Sequence, residues 1–138
     1  MFKPLFRPVG VKELALILDS NAKEFPPRLS WQPIFYPVLN FEYAVQIARD
    51  WNTQDNASGY AGFVTRFYLS ETYLQKFPVQ NVGGSIHDEL WVPANELAEF
   101  NHQISGDIEI VAQFFGDDYK DTIHQQSIYL QYYKPLEK

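Results

Sequence analysis

The chain has 138 residues and no cysteine, which excludes disulfides, thiolate metal sites and a cysteine nucleophile. With 46% hydrophobic and 17% aromatic residues, it is too apolar for a disordered chain and long enough to bury a core without staples. Its formal charge of −6, offset by no local Lys/Arg cluster, argues against nucleic acid as a partner, because such a surface repels phosphates.

One domain spanning residues 1–138 is expected from the length. The N-terminus Met-Phe-Lys-Pro-Leu-Phe-Arg-Pro lacks the apolar run of a signal peptide, and no stretch approaches the ~20 apolar residues of a membrane helix. A cytoplasmic protein with no membrane partner is the expectation.

In chain order, a strand is expected around Leu5–Phe6. A helix follows near Val11–Ser20, with Leu14, Ile17 and Leu18 on one face at helical spacing. Phe25-Pro26-Pro27-Arg28-Leu29 must be extended, because proline breaks helices and restricts its predecessor. Ile34–Val38 reads as a strand. Asn40 is a good cap for a helix of about three turns, whose apolar stripe is Phe41, Ala44, Ile47, Ala48 and Trp51. The polar stretch Asn52–Gly59 is a loop. Gly62–Leu69 alternates, with Phe63, Thr65, Phe67 and Leu69 on one face. Ser70 caps a short helix carrying Tyr73, Leu74 and Phe77, and Gly83-Gly84 marks a turn within Gln80–Ser85. Glu89–Val92 is a strand and Ala94–Asn101 a short helix. Asp107–Phe115 is a strand in which Ile108, Ile110, Ala112 and Phe114 alternate, Gly116–Thr122 a loop, and Ser127–Tyr133 a final strand. The sum is an α+β fold with a largely antiparallel sheet.

Three segments share one layout, an apolar strand that ends at proline with a polar or aromatic residue beside it: Leu5-Phe6-Arg7-Pro8, Ile34-Phe35-Tyr36-Pro37 and Glu89-Leu90-Trp91-Val92-Pro93. Their order resembles the ADP-ribosyltransferase fold. Phe6-Arg7 resembles its first element. Phe35-Tyr36, with the Glu42-Tyr43-Ala44 entry of the following helix, resembles its second. The glutamate that opens Glu89-Leu90-Trp91-Val92-Pro93 resembles its third. The whole chain also resembles a group of short bacterial proteins labelled "ADP-ribosylation/crystallin". Tyr36 and Pro37 stand where toxin-like members carry a Ser-Thr-Ser run, and His87 stands two residues before the glutamate, where Glu or Gln is usual. The resemblance implies an ADP-ribosyltransferase-like, mostly antiparallel split sheet with a few short helices. It further implies NAD as the dinucleotide partner and a protein or small molecule as the ADP-ribose acceptor.

On that reading Glu89 stabilises an oxocarbenium-like ribose, because a carboxylate offsets positive charge as the bond to nicotinamide breaks. His87, which titrates near neutral pH, is the candidate acid or base. Arg7 offers planar paired donors to the pyrophosphate or a ribose. Arg28 is a second candidate for the phosphates, Tyr36 stacks on nicotinamide, and Trp91 shares a strand face with Glu89 and walls the cleft. Each residue has a plainer alternative: a strand-end carboxylate, a loop histidine, a salt-bridged or surface arginine, a sheet tyrosine, a semi-buried tryptophan. His102 and His124 have no partner at metal-ligand spacing, so no metal is expected. The resemblance leaves two functions open. One is an NAD-consuming transferase or glycohydrolase. The other is a non-catalytic nucleotide- or protein-binding module on the same fold.

Overall fold

The structure, a computed structural model, describes residues 1–120 and 127–136. Its strands are β1 (Phe2–Val9), β2 (Ile34–Phe35), β3 (Ala61–Ser70), β4 (Val79–Asn81), β5 (Asp88–Leu90), β6 (Val92–Pro93) and β7 (Ser105–Phe115). Its helices are α1 (Val11–Asp19), α2 (Phe41–Asp50), α3 (Glu71–Leu74), α4 (Leu97–Gln103) and α5 (Ser127–Tyr132). The architecture is therefore mixed, with short helices and antiparallel strand pairs, in line with the α+β expectation.

β1, β3 and β7 form an antiparallel sheet with β3 in the middle. Val38 bridges Phe6 on one side and Glu89 on the other, so the β5–β4 pair is joined to the free edge of β1. The pairs Ile34↔Pro93, Phe35↔Val92 and Val38↔Glu89 share one antiparallel register, which sets Tyr36 across from Trp91. Pro37 lacks an N–H, yet its carbonyl accepts from the Leu90 N–H at 2.9 Å.

The sheet buries a face on each side. On one lie Leu5, Val9, Phe63, Phe67, Leu90 and Ile108, packed with Leu14, Ile17 and Leu18 of α1. On the other lie Phe6, Val38, Val64 and Val111, packed with Ala44, Val45 and Ala48 of α2. We call these the α1 face and the α2 face. Small residues let α2 approach closely: a Cβ placed on Gly62 would lie 2.3 Å from the Ala48 carbonyl oxygen, so only glycine fits there. Asn40 caps α2 as expected, its side chain accepting from the Tyr43 N–H, and Ser70 caps α3 through the Thr72 N–H.

The structure differs from the sequence reading at several points. Val79–Asn81 is strand β4, where the turn expected over Gln80–Ser85 begins. Trp51 of the expected α2 stripe is 49% exposed. Two further elements depart more fully. Ser127–Tyr132 is a helix, with Tyr129 and Tyr132 buried. Aromatic content favours a strand there, yet the spacing of these two residues suits one helical face, and packing outweighs propensity. In β7, Ile108 and Ile110 meet the α1 face whereas Ala112 and Phe114 pack on the α2 face. Val64 pairs with Ala112 and its neighbour Thr65 with Ile110, leaving Val111 as an extra residue. Such a bulge flips the side chains beyond it to the other face. The loop expected at Gly116–Thr122 reaches beyond the described residues at its last two positions, and His124 also lies outside them.

No helix among the described residues is long and apolar enough to cross a membrane.

Candidate functional site

Glu89 sits on β5 with its side chain on the α2 face, opposite in direction to its neighbour Leu90. It is 9% exposed. Both carboxylate oxygens are held: the Tyr43 hydroxyl donates to Oε2 at 2.9 Å, and the Trp91 indole Nε1–H donates to Oε1 at 2.8 Å. Trp91 follows by two residues, so period-two geometry brings it to the same side. Neither donor is charged, and Glu89 forms no ion pair among the described residues. The carboxylate is thus fixed in direction while its charge stays uncompensated. Each oxygen also keeps acceptor capacity beyond its one donor.

Tyr43 lies in the first turn of α2. Burial first, then its bond to Glu89, pushes the phenol up to about 12, because losing its proton would set two negative charges together. His87 packs on the Tyr43 ring with centroids 4.7 Å apart, and its Nε2 lies 3.0 Å from Gln46 Oε1. A Cβ on Gly84 would lie 2.7 Å from His87 Nδ1, so that glycine makes room for the imidazole. The next ring outward is Tyr36, edge-on to Trp91 at 6.4 Å. Tyr36 and Trp91 are 40% and 43% exposed, so each presents ring area to solvent.

Arg7 belongs to the other face. Alternation along β1 sends Phe6 to the α2 face and Arg7 to the α1 face with Leu5 and Val9. There its Nε and Nη2 donate to the Glu13 carboxylate of α1 at 2.7 and 3.0 Å, a paired geometry that fits guanidinium to carboxylate. Its Cζ lies 4.7 Å above the Phe35 ring. Its one link toward the other group is a 3.3 Å bond from Nη1 to the Tyr36 carbonyl. Arg28 lies over the same Phe35 ring at 6.0 Å, and its Nε donates to the Ile34 carbonyl at 3.0 Å. Burial, and then the charge of Arg7, lowers its guanidinium below the ordinary value, with Glu13 and Tyr36 acting in the opposite sense.

The structure therefore brings Glu89, Trp91, Tyr36 and His87 together on one face and groups Arg7 with Arg28 on the other. The expected juxtaposition of Arg7 with Glu89 is absent, because Phe6 and Glu89 share the partner Val38 and so share a face, which excludes Arg7 from it. Two residues of the Glu89 group were not singled out as site residues by sequence reasoning, Tyr43 and Gln46. Their spacing of three, one helical turn, on the helix capped by Asn40 was the available signal. Among the described residues no group of three or more His, Asp or Glu side chains is placed to hold a metal ion. Comparison of the chain with protein-family models, curated proteins and solved structures gives no match.

Proposed function

We propose that the Glu89 face is a ligand site and that the protein is a nucleotide-binding module of ADP-ribosyltransferase-like design, which takes the nicotinamide-ribose end of NAD. The observation that carries this reading is the Glu89 carboxylate, aimed by the neutral donors Tyr43 and Trp91 and without a counter-ion among the described residues. Such a group accepts from the hydroxyls of a ribose. The part-exposed rings of Tyr36 and Trp91 supply faces for a planar heterocycle beside it. Arg7 is committed to Glu13, so the pyrophosphate lacks the cationic clamp that tight dinucleotide binding favours. Cleavage draws on such remote binding energy to hold and distort the substrate, so a site without the clamp favours binding without turnover.

A second reading, NAD glycosyl transfer or hydrolysis, is favoured by the same carboxylate. A fixed, uncompensated negative charge is what a developing oxocarbenium-like ribose requires. His87, held against Tyr43 and Gln46, then stands near the second substrate.

Calorimetric titration with NAD, run beside an assay of nicotinamide release, separates the two. The module reading expects saturable binding that Glu89→Gln weakens roughly tenfold or more, with no release above background. Release that Glu89→Gln lowers by more than about a hundredfold establishes the enzyme instead. Absence of NAD binding by the folded wild-type protein overturns both readings.

A further inference from the structure

On the α1 face, away from Glu89, a cavity of about 250 Å³ opens where β1 and the β5–β4 pair diverge around α3. Its inner wall includes Leu5, Leu74, Phe77 and Leu90, all buried members of the larger core. Its lining also includes two exposed charged side chains of opposite sign, Lys3 from β1 and Glu71 from the first turn of α3. Neither forms an ion pair among the described residues.

We propose that this cavity binds a free α-amino acid with an apolar side chain. The inference is independent of the reading of Glu89. The volume is below the ~300–1,000 Å³ typical of drug-sized sites, which limits the occupant to roughly a dozen heavy atoms. The leucine and phenylalanine wall selects a branched or aromatic side chain, since burying such a group is the main favourable term available. The charged pair selects the headgroup. A zwitterion sets its carboxylate toward Lys3 and its ammonium toward Glu71, so both side chains gain partners that none of the described residues gives them. A fatty or aromatic acid leaves Glu71 facing a like charge, and an amine does the same to Lys3.

The test is an amide-resolved NMR titration of the full chain with L-phenylalanine, with 3-phenylpropionate and phenethylamine as headgroup controls. Phenylalanine is expected to shift the amides of Leu5, Leu74 and Leu90 saturably, with Kd of about 1 mM or tighter. Each control is expected to bind roughly fivefold or more weakly, because it satisfies one rim charge only. Lys3→Gln and Glu71→Gln change exposed side chains, so folding is preserved. Each should weaken phenylalanine binding roughly three- to tenfold. The proposal is overturned if phenylalanine at about 10 mM leaves the cavity amides unmoved. It is also overturned if 3-phenylpropionate binds as tightly as phenylalanine and Glu71→Gln changes nothing, which marks an acid site.

Discussion

Arg7 and Glu89 carry opposite charges on strands joined through one residue, Val38, and the fold treats them in opposite ways. The Arg7 guanidinium meets a full counter-charge in Glu13, with the Phe35 ring beneath it. Among the described residues Glu89 meets two neutral donors, a phenol and an indole. The first arrangement satisfies a charge and closes it off. The second directs a charge and leaves it unspent. The proposed nucleotide site therefore lies on the α2 face, and Arg7 fastens β1 to α1. Removing one partner from a shielded ion pair is costly because the other stays behind uncompensated.

The largest expected effect follows from that contrast. Glu13→Gln should lower stability by about 3 kcal/mol, measured by urea denaturation, since Arg7 is 11% exposed and Glu13 24%. Ligand binding at Glu89 should be unaffected in the folded variant. If stability is unchanged, the Arg7 pair is not the fastener described here.

Gly62→Ala attacks the other face. The added methyl would meet the Ala48 carbonyl, so α2 must shift outward, at a cost of about 2 kcal/mol. Because Tyr43 rides on α2, this variant should also disturb the Glu89 site, which Glu13→Gln should not.

Tyr43→Phe should cost about 1.5 kcal/mol at neutral pH, because a shielded carboxylate loses one of its donors, and should weaken NAD binding by freeing Glu89 to rotate. Its signature lies at high pH. The phenol is raised from its ordinary value near 10 to about 12 in the folded protein. The unfolded chain therefore loses that proton first. The contribution of Tyr43 is fully present below pH 10 and is lost as pH rises through about 12. Stability measured across that window should fall less steeply in Tyr43→Phe than in wild type. Asn40→Ala removes the α2 cap and should cost about 1 kcal/mol in the same denaturation assay.

Local features were legible in the sequence because their causes are local. Asn40 and Ser70 announce their helices through capping chemistry, and Trp91 shares a side with Glu89 because strand period is two. The pairing of strands was not legible. Whether Arg7 faces Glu89 depends on which residue Val38 meets on each side, and a shift of one position would reverse the answer. The Val111 bulge hides for the same reason, since an unbroken alternation from Ile108 to Phe114 reads as one face. At Ser127–Tyr132, aromatic residues suggested a strand, whereas Tyr129 and Tyr132 are buried as one side of a helix. The Tyr43–Glu89 bond joins residues 46 apart along the chain, so no local pattern signals it.

The most direct test watches the Trp91 indole N–H, which donates to Glu89, by NMR during an NAD titration, with its signal assigned through Trp91→Phe. A ligand that engages the carboxylate and the flanking rings should move that resonance saturably, with the Trp31 and Trp51 indole signals as internal controls. An indole signal that stays fixed while NAD binds elsewhere, or at saturating NAD with no binding at all, contradicts the assignment of this face.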